Sequence, residues 1–154
     1  MNIDGGTFET ERMDIGREAP ELSRALVALE RAIRIDPTLR ELVKLRASIL
    51  NGCAYCIDMH TKDARKAGER EQRLYAVAAW HEAPFFSERE RAALALTDAV
   101  TQIADGHVPA STYDAAARQF EPEELAHLIW QIAAINVWNR IAIATRQTVG
   151  NYEP

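Results

Sequence analysis

The chain has little cysteine and no long apolar run, and both shortages limit what it can be. Only two of its 154 residues are cysteine, too few for the disulfide framework of a small secreted domain. No stretch reaches the roughly 20 apolar residues of a membrane span, and the first residues lack the basic start and apolar core of a secretory signal. We therefore expect a cytoplasmic protein whose cysteines serve redox or metal chemistry.

Basic charge is also scarce. Eighteen lysines and arginines stand against 23 acidic residues, for a net charge of -5 with histidine neutral. Without a lysine-rich or arginine-rich run, the chain lacks the electrostatic footprint of a nucleic-acid-binding protein. Its 47% hydrophobic and 27% charged residues are typical of one ordinary globular domain. A domain of this length buries roughly two-thirds of its unfolded surface.

The alternating pattern of a β-strand is missing as well. Apolar residues recur instead at helical spacing, which predicts an all-α, single-domain bundle of about seven helices. Leu22, Leu26 and Leu29 give the first of these helices, which begins near Pro20, an apolar face. The fourth is predicted over residues 69–83.

The predicted domain organisation has three parts. Residues 1–17 are polar and aperiodic, and we expect an arm that is flexible or contacts a neighbouring subunit. The helical domain then covers 18–146, and 147–154 form a tail. Asn136 and Asn139 interrupt the apolar stripe of the last helix, which predicts buried hydrogen bonds or a subunit contact.

The most informative segment is a Cys-x-x-Cys motif at a helix start. Gly52 ends the second helix, so Cys53 and Cys56 fall at the first turn of the third. Unpaired backbone N–H groups there favour a thiolate and lower a cysteine pKa. Spacings of three and four place Cys53, Cys56 and His60 on one stripe, where the cysteines can form a disulfide facing the interior. Glu41, on the preceding helix, could orient His60 directly or through water, completing a predicted proton relay.

Inert packing and metal binding are the alternatives for this motif. Cys53, Cys56 and His60 are ligand types that suit zinc. The fourth ligand would come from one of the remaining histidines, His81, His107 or His127. Because no second ligand pair at a standard spacing follows, we predict no metal. We also predict no cofactor, since haem attachment needs a histidine directly after Cys56.

Several segments together resemble a known family. They are Glu41, Arg46, NGCAYCIDMH from Asn51 to His60, the following KAG, Ala78–Leu96 and Ile135–Arg140. Over roughly Pro20 to Arg146 the chain resembles the alkylhydroperoxidase AhpD-like branch of the carboxymuconolactone decarboxylase family. The resemblance implies an all-helical fold, assembly as homo-trimers or homo-hexamers, and thiol-dependent peroxidase activity.

The resemblance also implies a role for each site residue. Cys56 would be the peroxidatic cysteine that becomes a sulfenic acid, and Cys53 would resolve it as a disulfide, while His60 and Glu41 complete the relay. Tyr55 stands where the best-known members carry a histidine. The implied partners are a small hydroperoxide and an external dithiol or redox protein. A disulfide-exchange module and a decarboxylase-type lyase, whose family members lack the cysteine pair, are the other functions considered.

Overall fold

The architecture is all-helical. The structure, a computed structural model, describes residues 10–154. Within this range it has eight α-helices, one 3₁₀ turn and no strand, and none of the described helices could span a membrane. In order they are α1 (Ile15–Glu18), α2 (Pro20–Ala32), α3 (Pro37–Asn51), α4 (Ala54–Lys66), α5 (Glu71–Ala76), the 3₁₀ turn Val77–Ala79, α6 (Glu88–Thr101), α7 (Ala110–Ala117) and α8 (Pro122–Thr145). The predicted all-α fold is confirmed.

Local sequence signals set several helix ends. Helices α2, α3 and α8 begin with a proline, whose fixed φ suits the first turn and whose missing N–H is not needed there. Ser87 and Glu90 form a reciprocal capping box at the start of α6. Gly52 ends α3 in the left-handed region, at φ 68°. These ends place the cysteine motif at the turn between α3 and α4.

Helix α3 is the central element and contacts α4, α6 and α8. On one side, Val43 joins an apolar cluster with Leu128 of α8; on another, Leu42 packs in a cluster with Leu94 of α6. Burial of each such side chain contributes about 1.5–3 kcal/mol. The position of α3 in the core fixes both Glu41, on its second turn, and the cysteine turn at its end.

The fourth predicted helix is shorter than the sequence indicated. Of the predicted range 69–83, only α5 is α-helical, and the chain tightens into the 3₁₀ turn after Ala76. Nη1 of Arg46 donates to the carbonyl oxygens of Val77 at 3.4 Å and Ala78 at 2.9 Å. A continuing α-helix would use those carbonyls itself, so this long-range contact ends the helix.

The segment before α2 packs on the end of α8. The backbone N–H of Arg12 donates to the carbonyl oxygen of Thr145 at 2.8 Å, and Asp14 caps the single turn of α1. Residues 10–17 of the predicted arm thus contact their own chain, while 1–9 lie outside the described residues. The division into arm, domain and tail, with any subunit contact of the arm, stays a prediction.

Candidate active site

The two cysteines occupy the turn that joins α3 to α4. Cys53 is the N-cap of α4, and its Sγ accepts the backbone N–H of Cys56 at 3.3 Å. The two sulfurs form a disulfide. The relative exposures are 1% for Cys53 and 2% for Cys56. The pair therefore adopts the disulfide that the spacing allowed, and it faces the interior as the helical stripe indicated.

His60 lies one helical turn beyond Cys56 and contacts Glu41 directly. The ring Nδ1 donates to Glu41 Oε2 at 2.9 Å, and the His60 side chain is only 4% exposed. Because the carboxylate accepts at Nδ1, the neutral imidazole carries its lone pair on Nε2. That Nε2 is buried and has no hydrogen-bond partner among the described residues. The arrangement leaves one ring nitrogen ready to take a proton.

A cavity of about 300 Å³ opens beside Cys56 and His60. Most of its wall is apolar, and its other lining residues come from α2, α3, α4, α8 and the segment after α8: Glu30, Lys44, Tyr55, Met59, Trp138, Ala142 and Gln147. Neither Cys53 nor Glu41 belongs to this lining. A molecule in the cavity would therefore meet the Cys56 and His60 side of the site first.

The charged part of the cavity wall is internally compensated. Lys44 Nζ lies 2.7 Å from Glu30 Oε2, with both side chains largely buried. The side-chain amide of Gln131 donates to the other Glu30 oxygen at 3.2 Å. With both charges already paired, the cavity has no unpaired ion on this wall to attract a charged ligand.

Tyr55, which stands between the two cysteines in the sequence, lines the cavity. Burial, followed by the charges of Asp58 and Asp63, raises the pKa of Tyr55. Its side chain therefore remains a neutral phenol at ordinary pH and adds no charge beside the disulfide. It packs against the small apolar cluster of Cys53, Cys56 and Ala142.

A network of asparagine side chains joins the end of α3, directly before the cysteine turn, to α8. The amide of Asn51, the last residue of α3, donates to the side-chain oxygens of Asn136 at 2.9 Å and Asn139 at 2.8 Å. Asn139 in turn donates to Ser48 Oγ at 3.0 Å. Buried hydrogen bonds, one of two explanations that the sequence offered for Asn136 and Asn139, are therefore present. The parts played by Asn51 and Ser48 were not predicted.

Asp63 is a neighbour of the Glu41–His60 pair that the sequence did not single out. Glu41, His60 and Asp63 each offer a ligand-type atom, and these atoms all lie within 4.8 Å of one another. The available signal was the spacing of three between His60 and Asp63 on α4. The zinc set considered from sequence is not assembled, because the cysteines are bonded to each other. In the described part of the chain, no other histidine joins them in a ligand cluster.

Comparisons with known proteins agree with this architecture. Residues 20–99 match the sequence profile of the carboxymuconolactone decarboxylase family. The uncharacterised protein YdfG of Bacillus subtilis is 43% identical over 138 residues, covering 88% of this chain and 94% of its own. The uncharacterised YnjA of Escherichia coli is 33% identical over 67 residues, or 44% of this chain and 37% of its own.

Solved structures give the same picture of the fold. ATU0492 of Agrobacterium tumefaciens, a protein of unknown function proposed to be the antioxidant defence protein AhpD, has a TM-score of 0.89 and 38% identity, covering 93% of this chain and 100% of that one. The debrominase Bmp8 has a TM-score of 0.78 at 24% identity, covering 88% of this chain and 74% of its own. The likeness to Bmp8 concerns the fold alone.

Proposed function

Because this chain is an AhpD-like member of the carboxymuconolactone decarboxylase family, we propose that it is a thiol-dependent hydroperoxide reductase. One observation carries the proposal: a cysteine pair able to form a disulfide borders a cavity beside the unpartnered Nε2 of His60. The pair supplies two electrons, the cavity receives the substrate, and the imidazole handles the proton. Cys53, Cys56, His60 and Glu41 are the proposed catalytic set.

The first step oxidises Cys56. In the reduced enzyme, His60 Nε2 takes the proton of the Cys56 thiol, and the thiolate attacks the outer oxygen of the hydroperoxide. The S–O bond forms as the O–O bond breaks, and the departing alkoxide receives the proton as an alcohol. Cys56 is left as a sulfenic acid. Its place in the cavity lining, which Cys53 does not share, supports this assignment.

The second step forms the disulfide. The Cys53 sulfur attacks the sulfenic Sγ of Cys56, the S–O bond breaks, and the hydroxide leaves as water with the proton of the Cys53 thiol. Two thiols and one hydroperoxide have then become one disulfide, one alcohol and one water. An external dithiol regenerates the thiols by exchange, and its own sulfurs become the disulfide.

Glu41 acts through His60. Its carboxylate accepts from Nδ1 at 2.9 Å, which holds the ring orientation and stabilises the imidazolium that forms when Nε2 takes a proton. The buried position of the pair strengthens this electrostatic interaction relative to one in water. Glu41 is therefore assigned the orientation of the base.

The cavity supports an organic hydroperoxide as substrate. Its volume of about 300 Å³ exceeds by several-fold the roughly 30 Å³ that one water occupies, and the mostly apolar wall suits an alkyl or aryl group. The two alternatives have less support. A lyase has no evident use for the disulfide, and a disulfide-exchange module has no evident use for the mostly apolar cavity beside Cys56.

We also propose that the protein is a cytoplasmic homo-oligomer, a trimer or hexamer as the family resemblance implies. Helix α2 is amphipathic, yet none of its residues is buried in the single chain. Leu22 is 67% exposed, and an apolar groove of about 380 Å³ runs between α2 and α8. A second copy that covers this face would bury it.

Cysteine variants test the mechanism. Reduced Cys56→Ser should lose consumption of tert-butyl hydroperoxide, because the attacking sulfur is gone. Reduced Cys53→Ser should react once and stop at a Cys56 sulfenic acid, which dimedone traps for mass spectrometry. Retained turnover in Cys56→Ser would reject the assignment, and zinc near one per subunit in the purified parent would favour a structural metal site instead.

A further inference from the structure

The C-terminal tail lies along the helix that carries the active site. After α8 ends, Lys62 Nζ of α4 donates to the carbonyl oxygens of Tyr152 at 3.0 Å and Gly150 at 3.4 Å. One turn further along α4, Lys66 Nζ donates to the Pro154 carbonyl oxygen at 2.7 Å. Two lysines on one face of α4 thus hold the tail backbone in place.

The tail brings a hydroxyl group to the edge of the proposed relay. Tyr152 OH donates to Asp63 Oδ1 at 2.7 Å. The Asp63 carboxylate is the one whose ligand-type atom lies within 4.8 Å of those of Glu41 and His60. The same C-terminal segment also places Gln147 in the cavity wall beside Cys56. Both the cavity and the relay are therefore bordered by residues that the sequence had assigned to a tail.

Two carboxylates beside one imidazole need compensation. Glu41 receives the ring N–H of His60, and Asp63 receives the phenol of Tyr152. The charged and titratable groups of the surroundings are Glu41 from α3, Tyr55, Asp58, Lys62 and Asp63 from α4, Tyr152 from the tail, and Glu30 with Lys44 across the cavity. Within this set, the Tyr152 hydroxyl is a neutral donor aimed at the carboxylate nearest the relay.

We propose that residues 147–154 are part of the active site and that Tyr152 is a positioning residue, which fixes Asp63 beside the His60–Glu41 pair. The inference rests on the proposed role of that pair in proton transfer. Tyr152 is not among the residues that line the cavity, and its hydroxyl bonds to Asp63, so it acts through Asp63. Removing its hydroxyl leaves the Asp63 charge less compensated, which favours the protonated form of each neighbouring acid.

The test uses the full-length chain, reduced, in four forms: the parent, Tyr152→Phe, Asp63→Asn and the double variant. The rate of Cys56 alkylation by iodoacetamide is followed against pH, with the modified cysteine mapped by mass spectrometry. Tyr113→Phe, which changes an exposed tyrosine of α7, is the matched control. Alkylation reports the thiol–imidazole pair directly and needs no peroxide turnover.

In Tyr152→Phe the midpoint of the alkylation profile should move to higher pH by about 0.5 unit. Below the midpoint, alkylation and kcat/KM for tert-butyl hydroperoxide should fall about threefold, with KM unchanged. The Phe substitution should have no further effect in the Asp63→Asn background, because the hydroxyl then has no charge to compensate. The Tyr113→Phe profile should coincide with that of the parent.

A Tyr152→Phe profile that coincides with the parent profile would overturn the inference, whatever the peroxidase activity. So would equal effects of the Phe substitution in the parent and in the Asp63→Asn background, since the hydroxyl would then act elsewhere. If the Tyr152→Phe profile is shifted from the parent profile but the parent consumes no peroxide, the inference is supported and the proposed function is rejected. If Tyr152→Phe loses activity and melts at a lower temperature but its profile is unshifted, Tyr152 has a structural role and the inference is overturned.

Discussion

At the scale of single residues, the proposed chemistry depends on the two nitrogens of His60. Glu41 accepts from Nδ1 at 2.9 Å, and Nε2 is buried without a partner among the described residues. A buried polar atom left without a hydrogen bond is costly, and such an atom beside a cavity is typical of a group kept free for a ligand or a proton. In the proposed mechanism, the reduced Cys56 thiol donates the proton to this nitrogen.

Replacing Glu41 with glutamine tests the orientation of this ring. Glu41→Gln keeps a hydrogen-bond acceptor for Nδ1 but removes the charge that stabilises the imidazolium, so kcat/KM should fall by about 10- to 100-fold. Steady-state peroxide reduction measures the effect, with Glu82→Gln, at an exposed position, as the control. Equal activity of the Glu41→Gln variant and the parent would remove Glu41 from the relay.

Tyr152 gives a prediction about pH. The hydrogen bond to Asp63, followed by burial, raises the pKa of Tyr152 to about 12. Asp63→Asn should lower it toward the ordinary value of about 10, measured by NMR of ring-labelled tyrosine with Tyr152→Phe for assignment. No change in the Tyr152 titration would contradict the contact.

The same shift has a consequence for stability. The folded pKa of about 12 exceeds the unfolded value of about 10. The contact therefore stabilises the fold fully below about pH 10, and this contribution is lost as the pH rises toward 12.

At the scale of helices, the cysteine turn is held by the asparagine network between α3 and α8. Asn139 is fully buried and both donates to Ser48 and accepts from Asn51. The network joins the last turn of α3 to the middle of α8, directly before the cysteines. It therefore fixes the position of the cysteine turn relative to α8.

Asn139→Leu should destabilise the protein, because Asn51 and Ser48 lose buried partners. The expected loss is about 1–3 kcal/mol in the free energy of unfolding, measured by urea denaturation of the oxidised protein. Asn151→Leu, at an exposed position of the tail, is the matched control. A urea midpoint that stays at the parent value would show that the network contributes nothing to stability.

Sequence reasoning worked where the determining contacts are local. Proline, glycine and capping residues predict helix ends because they act within one turn, and the spacings of three and four predict the stripe of Cys53, Cys56 and His60 for the same reason. The contact of Glu41 with His60 was offered as a hypothesis, since it depends on how two helices pack. Tyr152 was not found, because it reaches Asp63 from 89 positions away.

At the scale of the whole molecule, the single chain leaves an apolar face open along α2. The sequence pattern gives α2 an apolar face through Leu22, Leu26 and Leu29 and leaves core and interface open as its place. Leu22 is 67% exposed, and no residue of α2 is buried. Val137 and Ile143 of α8 are also about half exposed. Leu22 and Val137 line the same apolar groove, and an exposed apolar patch is typical of a protein-protein interface.

The oligomer proposal predicts that the purified protein has the mass of a trimer or hexamer in light scattering. Leu22→Glu places a charge in the apolar face, and its burial against another subunit is unfavourable, so the variant should shift to smaller species. Gln72→Glu adds the same charge at an exposed site on α5 and should leave the mass unchanged. A monomeric parent at micromolar concentration would contradict the proposal.

In the proposed function, Cys53 and Cys56 together reduce a hydroperoxide. The most direct measurement is a free-thiol titration of the fully reduced protein before and after one equivalent of tert-butyl hydroperoxide, with the product mapped by mass spectrometry. Both thiols should be lost, and a Cys53–Cys56 disulfide should form within one chain. Two thiols that remain titratable after the peroxide has been added would contradict it.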